Sequence, residues 1–216
     1  MSNCEEVKKR IAERGVKEIL HFTKGSAGLT GILAVKAVQS RQRLEQDQRL
    51  EYIFEPTASF RKDKAWLDYV NLSISEINSS FFSVASERWH KSEGEWWVIL
   101  AFDPVITAHG GVFFTTTNNI YSDVARDINA KGFEALFARS VKRWGSNNVS
   151  RGANLADNLT TCEQAEILYP REVPTEFLRR IYVRDGEDKD DTMAQLDVLG
   201  HKNVEVVIAP DRFKGR

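Results

Sequence analysis

The sequence predicts an α+β protein, on three observations. Apolar runs of strand length recur from Val16 to Ala209, helical periodicity appears at only a few places, and neither alternates regularly with the other. Regular alternation would have pointed to a doubly wound parallel sheet instead.

The elements follow in order. Glu5 to Arg14 carries Val7 and Ile11 on one face and is closed by Gly15, the pattern of a helix with a C-terminal glycine cap. Val16 to Phe22 reads as a strand with His21 at its end. The small-residue loop Thr23-Lys24-Gly25-Ser26-Ala27-Gly28 then leads into a helix marked by Leu29, Ile32, Leu33 and Ala37. Such a loop offers backbone N–H groups to an anion, although plain turns give the same pattern. Residues 39 to 65 are the most polar part of the chain. A solvated helix face accounts for Arg41 to Arg49, whereas Phe60 and Trp66 around Arg61 suggest a segment folded back onto the body.

From Tyr69 the chain is strand-rich. Val70, Leu72 and Ile74 alternate with Tyr69, Asn71 and Ser73, which predicts a strand with two unlike faces. Glu95 to Phe102 is nearly continuously apolar and is ended by Asp103-Pro104, as in a central strand. Gly111 to Thr117 is a further strand, followed by Asn118 and Asn119. Val124, Ile128, Phe133, Leu136, Phe137 and Val141 make Ile120 to Trp144 read helical, and Gly145 to Thr160 is a polar loop. It feeds a strand opened by Glu166 and continued by Ile167, Leu168 and Tyr169. Phe177 to Val183 is a strand, Arg184 to Asp191 an acidic turn, Thr192 to Leu199 a short helix and Val204 to Ala209 the last strand. No repeat, low-complexity tract or linker interrupts the chain, so residues 1–216 are expected to form one domain.

Composition removes several classes of function. Apolar residues at 42% and charged residues at 28% suit a globular protein that buries a core. A net charge of −1 gives no overall attraction to nucleic acid, so any such binding must come from a local basic patch. Cys4 and Cys162 are too few for a disulfide framework or a zinc site, and the four histidines lack metal spacing, so no metal is expected. There is no apolar stretch of about 18 residues and no leader pattern at Met1-Ser2-Asn3-Cys4, which makes a cytoplasmic protein without membrane contact the expectation.

Two pieces carry chemistry. Glutamate has low strand propensity, and an ionised carboxylate opening a buried strand must be exposed, paired or functional. Glu166 is such a residue, and His21-Phe22-Thr23 ends a strand far upstream, so the two could line one cleft. A lone histidine is more often structural than catalytic. Ser26 lacks a nucleophile elbow, and phosphate- and dinucleotide-binding glycine fingerprints are absent. The residues therefore leave open an enzyme and a binding module in which Glu166 and His21 only pair structurally.

The ordered set resembles the DarT family of DNA ADP-ribosyltransferase toxins. It comprises His21-Phe22-Thr23, the small-residue loop and helix, Asp68-Tyr69-Val70, Phe114-Thr115-Thr116-Thr117-Asn118 and Gln164-Ala165-Glu166-Ile167-Leu168. The resemblance spans about residues 17 to 185. It implies an ADP-ribosyltransferase-like fold, with split mixed and antiparallel sheets flanked by helices, and NAD+ as co-substrate without a metal. It implies Glu166 as the catalytic glutamate and Arg61 as the functional arginine, serving catalysis and the pyrophosphate. His21, Phe22, Thr23, Gly31 and Tyr69 are the implied NAD+ contacts. Single-stranded DNA would be the acceptor, and a DarG-like antitoxin that removes ADP-ribose would be the partner. Lys142, Arg143, Trp144 and Arg151 combine cations with an aromatic surface and are the expected DNA contacts.

Two departures bear on the target base. Asn71-Leu72-Ser73-Ile74-Ser75-Glu76 stands where the thymidine-modifying branch has an aromatic and proline-rich run. Thr161-Cys162-Glu163 also lacks that branch's basic pair. Both are similar to the divergent branch held to modify guanine, so guanine is favoured over thymine. RNA or protein as acceptor is the alternative.

Overall fold

In the computed structural model, which describes residues 2–46, 64–89 and 94–216, helices and strands follow one another irregularly. The first half contains α1 (Asn3–Arg14), β1 (Ile19–Lys24), α2 (Ala27–Val35), β2 (Ala37–Gln39), α3 (Arg41–Gln46), β3 (Tyr69–Ile74), α4 (Ser79–Val84) and β4 (Trp97–Phe102). The second half contains β5 (Phe113–Thr115), β6 (Arg126–Asp127), α5 (Asn129–Ala135), β7 (Ser140–Trp144), β8 (Asn147–Ser150), β9 (Glu166–Pro170), β10 (Glu172–Pro174), β11 (Leu178–Val183), α6 (Gly186–Val198) and β12 (Glu205–Ile208). Arg61 lies outside the described residues, as do residues 47–63 around it.

Eight strands form one sheet in the order β12-β11-β4-β1-β3-β9-β5-β6. Its pairings are antiparallel except β11 with β12, which run parallel. The join at its centre is short. β1 and β4 are registered along all of β1, from Ile19↔Phe102 to Lys24↔Trp97. β3 is likewise registered on β9 from Tyr69↔Pro170 to Leu72↔Ile167. Between β1 and β3, however, only Ile19↔Ile74 and Leu20↔Ser73 are paired. The sheet is therefore split into two halves that share a short seam and diverge beyond it, as the family resemblance implied.

Strand parity explains two cores. Alternate residues of a strand face opposite sides of the sheet. Ile19, Leu72, Leu100 and Ile167 join Val7 and Ile11 of α1, Leu29 and Leu33 of α2 and Phe133 of α5 in the larger cluster. Leu20, Ile99 and Tyr182 join Phe82 and Phe213 on the other side. β4 is buried at every position because it lies between β1 and β11 with both faces covered, which is why its sequence is continuously apolar.

Two local readings are corrected. Residues 120–144 are not one helix: only α5 is helical there, between β6 and β7. The helix-like spacing arises because Val124, Phe133, Leu136 and Val141 reach buried sites from a loop, a helix and a strand in turn. The acidic stretch after Arg184 belongs to α6 rather than to a turn. Asp185 caps it by accepting from Asp188 N–H at 3.0 Å, and Glu187 and Asp188 occupy its first turn, where the helix dipole favours negative charge.

Candidate active site

Beyond the seam the two halves open into a cleft of about 220 Å³. β1 contributes His21, Phe22 and Thr23, α2 contributes Gly28 and Gly31, β3 contributes Tyr69 and Asn71, and β9 contributes Glu166. Five of the expected NAD+ contacts and the expected glutamate thus share one cavity. They meet because β1 and β9 flank β3 on its two edges while β1 leaves β3 after two registered pairs.

The histidine spans the opening. Its Nδ1 lies 3.1 Å from the carbonyl oxygen of Asn71 across the divergence. A carbonyl can only accept, so the bond assigns a proton to Nδ1 and leaves Nε2 an acceptor in the neutral ring. Thr23 is fixed by the helix that follows. A Cβ at Gly28 would collide with the Thr23 hydroxyl, so glycine lets α2 come down onto the strand end. Tyr69 is held in an aromatic group, with ring centroids 5.0 Å from Trp66 and 5.9 Å from Phe113.

Glu166 is 6% exposed and sits where β9 begins, paired with Thr115 of β5. Its backbone oxygen accepts from the Thr115 hydroxyl at 3.2 Å. Its carboxylate Oε2 accepts from the backbone N–H of Asn119 at 2.8 Å. The strand therefore fixes the residue, and a turn from residues 118–121 fixes its side chain. A buried carboxylate needs such donors to offset the water it has lost.

The expected DNA contacts divide. Lys142, Arg143 and Trp144 lie on β7, which forms a separate two-stranded ladder with β8, turned at Gly145 with φ +53°. Trp144 is 39% exposed rather than packed in the core. The Arg143 guanidinium lies 4.3 Å from its ring centroid, and the Tyr121 ring is 5.5 Å away on the turn that holds Glu166. Arg143 Nε also donates to Gln164 Oε1 at 3.2 Å, two residues before Glu166. Lys142 pairs with Asp123 at 3.0 Å. Arg151 instead donates to the carbonyls of Leu159 (2.7 Å), Ala156 (2.7 Å) and Leu155 (3.4 Å), stapling its own loop. Burial lowers the pKa of its guanidinium.

The lead-in to the glutamate is also engaged. The Thr161 hydroxyl donates to Ala138 O at 2.6 Å, and Cys162 is 1% exposed. Glu163 accepts from the Ser80 hydroxyl at 3.0 Å and lies 4.0 Å from Arg143.

Sequence reading did not single out Asn71, Gln39, Arg41, Phe81 or Asn78, all of which line the cleft. Asn71 Nδ2, Asn78 Nδ2 and Gln39 Oε1 are buried without a hydrogen-bond partner among the described residues. Arg41 is the arginine that lines the cleft among the described residues. The helix-face periodicity of 41–49 carried no sign that its first residue would turn inward. No group of three or more metal-ligating side chains, and no helix long and apolar enough to cross a membrane, occurs among the described residues.

Comparison with known proteins gives consistent results. The family model described as "ssDNA thymidine ADP-ribosyltransferase, DarT" matches residues 20–214. Among solved structures, Thermus sp. 2.9 DarT in complex with carba-NAD+ superposes with a TM-score of 0.64 at 16% identity, over 92% of this chain and 98% of that one. The same protein in complex with ADP-ribosylated ssDNA gives a TM-score of 0.63 at 18% identity, over 93% and 97%. Thermosipho africanus DarTG in complex with ADP-ribose gives 0.61 at 15% identity, over 91% of this chain but 51% of that one. At these identities the likeness is one of fold. No curated protein matches the sequence.

Proposed function

This chain belongs to the DarT family of NAD+-dependent single-stranded DNA ADP-ribosyltransferases, and on that premise we propose a reaction at the seam cleft with Glu166 as its catalytic carboxylate. The observation that carries the proposal is the buried Glu166 carboxylate, held by the Asn119 N–H in the same cleft as His21 and Thr23. The bond between ribose C1′ and the nicotinamide nitrogen breaks, and its electron pair leaves with neutral nicotinamide. C1′ becomes oxocarbenium-like, and the anionic Glu166 stabilises that charge and orients the ribose hydroxyls. A nitrogen of the DNA base then bonds to C1′, and the carboxylate takes up the proton it loses.

The cleft wall supports NAD+ as donor. His21 Nε2, an acceptor in the neutral ring, and the Thr23 hydroxyl suit ribose hydroxyls or the carboxamide, and Phe22, Gly31 and Tyr69 complete the proposed contacts. Arg41 lines the cleft. Arg61, which lies outside the described residues, remains the arginine proposed to grip the pyrophosphate or assist at the base. The NAD+, carba-NAD+ and ADP-ribosylated DNA held by the Thermus relatives support the same pair of substrates.

Lys142, Arg143 and Trp144 are the proposed track for the strand, with Arg151 ordering the loop behind them. Guanine is the base favoured over thymine, on the runs Asn71-Leu72-Ser73-Ile74-Ser75-Glu76 and Thr161-Cys162-Glu163 where the commoner branch differs, although the matching family description names thymidine. In this reading the protein is a cytoplasmic toxin that blocks replication, paired with a DarG-like antitoxin that removes the modification. The test is mass spectrometry of thymine-only and guanine-only oligonucleotides after incubation with NAD+. An ADP-ribose adduct is expected, on guanine first, and is lost by roughly 10²–10³-fold in Glu166→Gln. A folded, NAD+-binding protein that modifies neither oligonucleotide would sink the proposal.

A further inference from the structure

The turn that donates to Glu166 is itself gripped by an arginine side chain. Asn119 is 1% exposed, and both of its oxygens accept from Arg126. Arg126 Nε reaches Asn119 Oδ1 at 2.5 Å, and Nη2 reaches the Asn119 carbonyl at 2.7 Å. The same Nη2 lies 3.3 Å from the carbonyl of Tyr121. The guanidinium lies 5.4 Å from the Trp66 ring centroid, so an aromatic face also limits its position. Arg126 stands on β6 opposite Thr115, and Thr115 stands opposite Glu166 on its other side. Arginine, turn and carboxylate thus close a ring of contacts across β6, β5 and β9. Arg126 is not among the residues lining the cleft.

The geometry points to Arg126 as a positioning residue for ADP-ribose transfer, acting through Asn119 on the Glu166 carboxylate. This rests on the reading of Glu166 proposed above. The Asn119 N–H belongs to a turn, not to a ladder or helix, so no repeating bond pattern keeps it on Oε2. A planar guanidinium that grips a residue by its main chain and side chain together supplies that constraint. A lysine there would offer a point charge without the fork. A misplacement of about 1 Å at a reacting group can cost up to about 100-fold in rate.

The experiment compares Arg126→Gln, Arg126→Lys, Asn119→Ala and Glu166→Gln in the full chain. Each is measured for kcat of transfer to an oligonucleotide, for affinity toward a non-hydrolysable NAD+ analogue, and for thermal stability. Arg126→Gln is expected to lower kcat by roughly 10- to 100-fold with the analogue's affinity within about twofold, and Arg126→Lys and Asn119→Ala to fall between it and the native protein. A folded Arg126→Gln with native kcat overturns the inference, and so does a parallel fall in kcat and analogue affinity. If Arg126→Gln does not fold, the other two variants decide by the same criteria. Loss of activity in Glu166→Gln with native activity in the Arg126 variants defeats only this inference. Native activity in Glu166→Gln defeats the underlying reading as well.

Discussion

A carboxylate at the start of a strand is tolerable only where the surrounding chain supplies donors, and Glu166 has its donor from a turn 47 residues earlier in sequence. That separation explains what the sequence could and could not reveal. Glu166 and His21 were legible because each is an unusual residue at the end of an apolar run. Asn119 and Arg126 were not, since nothing in their own neighbourhoods says that their partner is distant. Asn71 was read as the polar face of a strand, which is correct, but its contact with His21 depends on a divergence that no local pattern encodes. Gly28 belongs to the same class, because its role is visible only against Thr23. Gly28→Ala is expected to push aside the Thr23 hydroxyl, since a β-branched side chain has few rotamers to retreat into. The expected result is an NAD+ affinity about tenfold lower, roughly 1.4 kcal/mol, read by titration. Unchanged affinity would remove Thr23 from the binding wall.

At the level of elements, the longer strands of the main sheet were legible, whereas the short strands β2, β6, β7, β8 and β10 and the helix α4 were not. Tyr69–Ile74 alternates because Val70, Leu72 and Ile74 are buried in the core while Tyr69, Asn71 and Ser73 are only half-buried, so its period reports its surroundings faithfully. The 120–144 stretch misleads because several short elements bury residues at intervals that mimic a helix. The β7–β8 hairpin is the consequence for function, since it brings Trp144 and Arg143 out beside the Glu166 turn. Trp144→Ala is expected to weaken single-stranded DNA binding by about 1–3 kcal/mol, the usual range for one stacked base. Its stability should hardly change, because the ring is 39% exposed. Arg151→Ala should show the opposite emphasis, losing about 2 kcal/mol of folding stability with its carbonyl contacts. Denaturant titration and fluorescence anisotropy with an oligonucleotide separate the two. If Arg151→Ala left both folding stability and salt-dependent DNA binding untouched, its carbonyl contacts would have no part in ordering the 143–160 segment for DNA.

For the molecule as a whole, stability should depend on pH through a histidine that is not among the residues lining the cleft. His109 closes the 3-10 turn Pro104–Ala108, with Nδ1 2.8 Å from the Tyr169 hydroxyl and its ring 5.1 Å from that of Phe177. Burial pushes the imidazole pKa down, aided by Lys8 and opposed by Glu176. A base with a depressed pKa in the folded state is protonated first in the unfolded chain. Stability is therefore fully present above the ordinary imidazole value of about 6.5 and is lost as pH falls below it. Urea denaturation at about pH 7.5 and 5.5 should show this loss in the native protein and a smaller one in His109→Gln. Equal losses in both would assign the acid sensitivity elsewhere.

The two-pair seam between β1 and β3 has a mechanical consequence. Each half of the sheet carries its own complete ladder, so neither depends on the other for its backbone hydrogen bonds. The seam then serves as a fulcrum, and the angle across it sets how wide the mouth between His21 and Glu166 stands. Side-chain volume at Ile19 and Ile74, both buried and outside the cleft lining, becomes a control on aperture. Selection could tune access to the reaction centre there without altering a single reacting group.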